Sequence, residues 1–356
     1  MFKIKAAVLF GGASSEYEVS LRSAASVLRG IPQDKYDVVA VGITKDGRWF
    51  RCESAPERIE SGAWTDDALV SCFLSPDRAV HGLVTVAPDG KALFERVDVV
   101  FPVLHGRNGE DGAMQGLLQI AGIPFVGCDV LSSAMCMDKA VTNTMLDAHG
   151  IPHAPWRMLC RHELPQFEGR ADEWESALGY PRFVKPANAG SSVGISKAHD
   201  RAELKAALAL ALEHDDKIVI EKNIAGRELE CSVLGNLGAE ASAVGEILSA
   251  NEFYDYEAKY HSAQSRTVIP AALSEAESGA IRETAVRAFE ALGCSGLARV
   301  DFLLESATGT VYLNEPNTIP GFTSISMYAK MWEATGLAFP ALIDRLFTLA
   351  LERGCR

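Results

Sequence analysis

The chain has 356 residues, 48% hydrophobic and 23% charged, enough for two or three domains with a large core and too ordinary a mixture for a disordered or fibrous protein. Its formal net charge of −13 argues against a general nucleic-acid binder, which needs a basic face, so phosphate chemistry would have to gather lysine, arginine and metal ions into one cleft. Eight scattered cysteines without a CxxC pair give neither a disulfide ladder nor a zinc spacing; the start MFKIKAAVLFGG does not read as a signal peptide, and no apolar run reaches membrane-spanning length, so the expected location is the cytoplasm.

Residues 6–10 form a buried-strand run that Gly11-Gly12 ends, and Ser14 or Ser15 can cap a helix over about 18–28. A second strand is expected over 38–43, and strand, glycine turn, helix and strand together begin a parallel α/β sheet. The single Gly-Gly is a weak nucleotide signal, and the dinucleotide fingerprint GxGxxG is absent. Residues 45–95, irregular with strand-like pieces such as 83–86, read as hairpins decorating the first domain. A strand over 97–103 leads into HGRNGEDG at 105–112, followed by a helix over 113–121, a strand over 124–126 and a short helix over 132–137. Asp138 can cap a helix over 139–149 that Gly150 and Pro152 stop, which marks a domain boundary.

From 151 to 225 strand and helix alternate around FVKPANAGSSVGIS at 183–196. Strands are expected over 181–184, 193–195 and 217–221, with a helix over 201–212 capped by Asp200. From 226 onward the strands are 228–234, 243–247, 296–304 and 311–314, and the helices about 275–292 and 338–352.

Four stretches carry candidate chemistry. The Gly190-Ser191-Ser192 turn after Lys185 is either an ordinary hairpin turn or a flap of N–H groups and hydroxyls that closes over phosphate, with Lys185 as a point charge. Arg299 and Asp301 lie two apart on one strand, as do Glu315 and Asn317 on another, so each pair shares a face. These pairs are either solvated, salt-bridged faces or an oxygen-ligand set for Mg²⁺ or Mn²⁺ completed by phosphate. Residues 317–326, NTIPGFTSIS, turn at Pro320-Gly321 and offer hydroxyls and N–H groups to an anion such as a carboxylate, or form a plain capped turn. Residues 253–266 lack a clean period and read as a surface loop or a lid.

Taken together, GGASSEYEVS, HGRNGEDG, MDK at 137–139, FVKPANAGSSVGIS, EKNIAGRELE, FYDYEAKY, LARVDF and NEPNTIPGFTSISMY resemble the D-alanine–D-alanine ligases of the ATP-grasp superfamily, in the family's order and over essentially the whole chain. The resemblance implies a three-domain fold, α/β with α+β character in the ATP-grasp part: an N-terminal parallel α/β substrate domain over 1–138, a central ATP-grasp domain with the phosphate flap over 139–225, and a C-terminal one with the metal site and lid over 226–356. It implies ATP between the last two, with Lys139, Lys185, Ser191, Ser192 and Lys259 around the nucleotide, Glu221, Lys222 and Ile224 as the adenine hinge, and Glu228 on the ribose. Asp301, Glu315 and Asn317 resemble the ligands of two Mg²⁺ (or Mn²⁺) ions. Glu16 resembles the residue holding the first D-alanine's ammonium, networked with Ser191 and Tyr260; Gly321 and Ser326 resemble the site of the second D-alanine's carboxylate, His105 a residue near it, and Arg299 a stabiliser of developing charge.

The implied activity is ligation of two D-alanines through an acyl phosphate for cell-wall precursors, by a cytoplasmic homodimer with no nucleic-acid or membrane partner. Tyr260 and Met327 favour D-alanine as second substrate: ligases making D-alanyl-D-lactate differ around the lid, and those making D-alanyl-D-serine often carry Arg where Met327 stands. Pro316 departs from the family pattern between two of the metal ligands, as, in a minor way, does Ala329.

Overall fold

The computed structural model describes residues 3–87, 89–190, 193–248 and 266–354. Its first sheet is built from β1 (Ile4–Gly11), followed by α1 (Tyr17–Gly30), β2 (Tyr36–Ile43), β3 (Trp49–Cys52), α2 (Pro56–Glu60), β4 (Val70–Leu74), β5 (Gly82–Val86), β6 (Ala92–Arg96) and β7 (Val99–Val103). The strand order is β6-β5-β4-β3-β2-β1-β7. β1 pairs in parallel with β2 and β7, the expected start of an α/β sheet, and the 45–95 region adds antiparallel strands to the β2 side. β1 lies inside the sheet, between β2 and β7, and both its faces are buried: Ala6, Val8 and Phe10 face one hydrophobic core, Ala7 and Leu9 another. Gly42 on β2 is required by packing, since a Cβ there would sit 2.5 Å from the buried Trp64 ring.

Neither Ser14 nor Ser15 caps α1. Glu16 occupies the N-cap without a side-chain cap, and Ser14 Oγ accepts the Glu16 N–H instead, at 3.1 Å. After β7 come α3 (Ala113–Ala121), α4 (Val130–Met137) and α5 (Lys139–Ala148). The strand expected over 124–126 reduces to a single bridge, Phe125 to Val100. α4 starts two residues earlier than expected because Asp129 caps it in a reciprocal box with Ser132. Asp138 caps α5, accepting from the N–H groups of Ala140 and Val141.

The second sheet holds β8 (Trp156–Cys160), β9 (Arg182–Pro186), β10 (Ser196–Ala198) and β11 (Lys217–Lys222), in the order β10-β9-β11-β8, with α6 (Phe167–Leu178) and α7 (Arg201–Ala211) packed in one core with β9 and β11. The return strand is not 193–195. β10 pairs Ser196 with Val184, so the turn runs three residues further, and Gly194 adopts a positive φ of 71°. Turn geometry overrides the strand propensity of Val193 and Ile195.

The third sheet holds β12 (Gly226–Gly235), β13 (Glu240–Leu248), β14 (Arg266–Val268), β15 (Gly296–Glu305) and β16 (Val311–Asn317), in the order β14-β13-β12-β15-β16. β16 runs three residues past the expected end at 314. α8 (Glu275–Ala291) shares a core with β12, β13 and β15, and α9 (Met327–Ala334) packs against β12 and β13. The last helix, α10 (Phe339–Arg353), crosses back to the first sheet. Its Ile343, Leu346 and Phe347 lie in one core with Ala6, Val8 and Phe101, and Phe347 meets the rings of Tyr36 and Phe101 at 4.6 and 5.8 Å. Each such fully buried side chain contributes about 1.5–3 kcal/mol of transfer free energy. Among the described residues no single helix is long and apolar enough to cross a membrane.

Candidate active site

A cleft of about 930 Å³ opens between the three sheets and is lined by every described residue singled out from the sequence: Glu16, His105, Lys139, Lys185, Glu221, Lys222, Ile224, Glu228, Arg299, Asp301, Glu315, Asn317, Gly321 and Ser326. Ser191, Ser192, Lys259 and Tyr260, and the lid over 253–265, lie outside the described residues.

One wall is set by strand register. β15 and β16 pair Arg299 with Asn317, Val300 with Pro316, and Asp301 with Glu315, so the four polar residues share the cleft face while Val300 is buried in the core on the other. Arg299 donates from Nε and Nη2 to the two Asp301 oxygens, both at 2.7 Å. Glu230, opposite Asp301 on β12, brings Oε2 to 3.2 Å from Arg299 Nε. Burial works against the Arg299 charge, but Asp301 and Glu230 outweigh it and hold its pKa well above the ordinary value. Pro316 is tolerated because β16 is the sheet's edge strand, where proline belongs.

The facing wall comes from β9 and β11. Val219 lies opposite Lys185 and Phe183 opposite Glu221, which makes Lys185 and Glu221 diagonal neighbours on one face. Lys185 Nζ meets Glu221 Oε2 at 2.5 Å, and Asn143 Nδ2 donates to Glu221 Oε1 at 3.1 Å. Burial pulls the Lys185 pKa down, and the charges of Glu221 and Glu315 more than reverse it, so the ammonium is retained. Lys185 and Asn143 thus hold both oxygens of the Glu221 carboxylate. Lys139 donates from its amide to Ala187 O and from Nζ to Ala189 O, at 3.0 and 2.7 Å, which ties it to the base of the flap. Asp138 also binds Lys217 and Asn188.

The N-terminal sheet closes the cleft. The nearly buried Glu16 carboxylate lies against Gly106 and Gly190: a Cβ at those glycines would approach Glu16 Oε2 to 2.6 and 3.2 Å. The flap base therefore touches the start of α1. His105, from the end of β7, is buried; Nδ1 lies 2.9 Å from Ile319 O and Nε2 3.1 Å from Ser23 Oγ. The turn after Ile319 brings Gly321 beside Ser326, whose Oγ accepts the Thr323 N–H at 3.0 Å instead of capping α9.

Residues 5–128 match the family model described as D-ala D-ala ligase N-terminus, and residues 145–348 the one described as D-ala D-ala ligase C-terminus. The D-alanine--D-alanine ligase of Acetivibrio thermocellus is 50% identical, over 99% of this chain and 96% of that protein. The chain belongs to the D-alanine–D-alanine ligase family. Among solved structures, the fold of this ligase is similar to the VanG D-Ala:D-Ser ligase from Enterococcus faecalis, with a TM-score of 0.90 and 41% identity over 98% of this chain and 100% of that one. It is similar too to the D-alanine-D-alanine ligase from Coxiella burnetii, with a TM-score of 0.84 and 36% identity over 99% and 96%.

Members of this family use ATP and metal ions. Among the described residues, no cluster of three or more His, Cys, Asp and Glu could hold a metal ion. The Asp301, Glu315 and Asn317 set is all-oxygen and incomplete, which is the donor chemistry of a hard cation that shares its shell with phosphate and water. Sequence reading missed Glu230, Asn143 and Ser23, all of which line the cleft. Glu230 was detectable as an acidic residue inside an apolar strand run, whereas Asn143 and Ser23 carry no signal beyond helix periodicity.

Proposed function

We propose that the cleft joins two D-alanines at the expense of ATP, with a D-alanyl phosphate as intermediate, to supply cell-wall precursors. The first D-alanine binds with its ammonium at Glu16, and its carboxylate attacks the γ-phosphate held near Lys139 and Lys185. ADP leaves. The second D-alanine places its carboxylate at Gly321 and Ser326, its amine attacks the activated carbonyl, and the tetrahedral intermediate collapses to dipeptide and phosphate. Arg299 faces the developing negative charge with a fixed fork. Asp301, Glu315 and Asn317 would hold two Mg²⁺ or Mn²⁺ ions, which when bound neutralise phosphate charge. Ser191 and Tyr260 link Glu16 to the flap and lid, Ser192 and Lys259 face the nucleotide, Lys222 and Ile224 bracket adenine, and Glu228 takes the ribose.

The observation that carries this reading is the register pairing Asp301 with Glu315 and Arg299 with Asn317, across the cleft from Lys185. We place the working divisions at 1–138, 139–225 and 226–356, the enzyme in the cytoplasm, and two copies in a homodimer. The test is release of ADP and phosphate that requires both D-alanine and Mg²⁺. ATP binding without D-alanine-dependent phosphate release would overturn the reading. The likeness to a D-Ala:D-Ser ligase raises D-serine as an alternative second substrate. Met327 opposes it, because its methyl end packs over Gly245 and brings no charge or hydrogen bond to a hydroxyl. Comparing D-alanine, D-serine and D-lactate as acceptors separates the two.

A further inference from the structure

Helix α1 does more than present Glu16. Its inner face carries two fully buried serines one turn apart, Ser20 and Ser23. Ser20 secures the helix to its own sheet, accepting the Gly11 N–H at 2.8 Å and donating to Val103 O. Ser23 reaches out of the N-terminal sheet altogether. Its Oγ accepts the N–H of Phe322 at 3.2 Å, from a residue 299 positions away, and lies 3.1 Å from His105 Nε2. His105 in turn holds Ile319 O through Nδ1. The four-residue turn from 319 to 322 is thus clasped at both ends, by its first carbonyl and its last amide, and Pro320 and Gly321 lie between. The clasp survives either charge state of His105. The neutral ring accepts the Ser23 hydroxyl proton, the protonated ring donates to the oxygen, and the Phe322 N–H is satisfied in both.

We propose that Ser23 is a positioning residue for the second amino acid: it fixes the turn that carries Gly321, and thereby rigidly links the acceptor site to the helix whose N-cap residue, Glu16, faces the donor ammonium. This rests on the assignment of Gly321 and Ser326 to the acceptor carboxylate. A buried hydrogen bond to a turn that must present an N–H within tenths of an ångström is worth more to the acceptor than to ATP or the donor, neither of which that turn touches.

The test is steady-state kinetics of the full-length enzyme, with the two D-alanine constants resolved from a two-site fit of velocity against concentration and with melting temperatures measured in parallel. Ser23→Ala should raise the acceptor constant about tenfold, roughly one lost buried hydrogen bond, and leave the donor and ATP constants within about twofold. Ser23→Cys keeps the volume with a weaker acceptor and should shift the same constant less; it stands in should the alanine variant fold poorly. Ser23→Ala combined with His105→Gln should be less than additive, because both release the same turn. Equal movement of all three constants, or a loss of kcat alone, overturns the proposal. Ser326→Ala is the control. If it raises the acceptor constant and Ser23→Ala does not, the role of Ser23 falls and the acceptor site stands; if it does not, the acceptor assignment falls and this proposal with it.

Discussion

The two walls of the cleft each hold a buried cation against carboxylates, and they do so in opposite ways. On β9 and β11, Lys185 is a compact charge on a flexible stem, in direct contact with the Glu221 carboxylate that Asn143 also steadies. On β15 and β16, Arg299 is a planar fork locked by two parallel bonds to Asp301, with Glu230 behind it. A lysine in that setting can exchange Glu221 for an incoming phosphate by rotating its own side chain, whereas the arginine can only stay where it is. In the reaction proposed above, one wall would follow the ligand and the other would define where charge develops.

The strongest way to break this contrast is Lys185→Ala, which removes the mobile charge. ADP release in the presence of D-alanine should fall by about a thousandfold or more, as for loss of a main electrostatic stabiliser, and a near-normal rate would remove Lys185 from the mechanism. Next in size is Arg299→Lys, which retains charge and loses the fork. We expect kcat to drop by about a hundredfold with the ATP constant little changed, and an equal effect on both would mean that Arg299 acts in binding. Glu221→Gln sharpens the comparison from the other side. Leaving the buried ammonium without its countercharge should cost about 3 kcal/mol of stability, read from denaturant unfolding, and added ATP should restore part of it. An unchanged midpoint would show that Glu221 does not hold the lysine.

The smallest effect concerns pH. Burial disfavours the His105 charge, but the Glu110 carboxylate 3.8 Å from Nδ1, with Glu16 beyond, outweighs it and raises its pKa above the ordinary 6.5. A raised folded pKa stabilises the fold fully below pH 6.5 and loses that contribution as pH climbs through the folded value. The difference in melting temperature between the natural chain and His105→Gln should therefore narrow as pH rises. A difference independent of pH would leave only the neutral hydrogen bonds.

Much of this site could be read from residues alone. Two-residue spacing is enough to put Arg299 with Asp301 and Glu315 with Asn317, because side chains alternate along any strand. Which of them face each other depends on a register that includes an irregularity just after Asp301, and local spacing does not encode that. Glu230 belongs to the same cluster only because β12 lies beside β15. The error over 193–195 has the reverse cause: β-branched residues favoured a strand where the length of the turn forbade it. Ser14 and Ser15 are good caps by composition, yet the structure gives the N-cap to Glu16, whose carboxylate lines the cleft instead of capping the helix. The Ser23 clasp spans nearly the whole chain, beyond the reach of any periodicity argument.

The crossing of α10 bears on how the chain is made. β1 leaves the ribosome well before α10, the helix that covers one of its faces. Until Ile343, Leu346 and Phe347 arrive, the side of the N-terminal sheet bearing Ala6, Val8 and Phe101 lacks part of its cover. Arg353 then fastens the end of that helix to the carbonyls of Phe125 and Gly127. The N-terminal sheet is thus begun before the other two and covered in full only when α10, which follows both of them in the chain, packs on it.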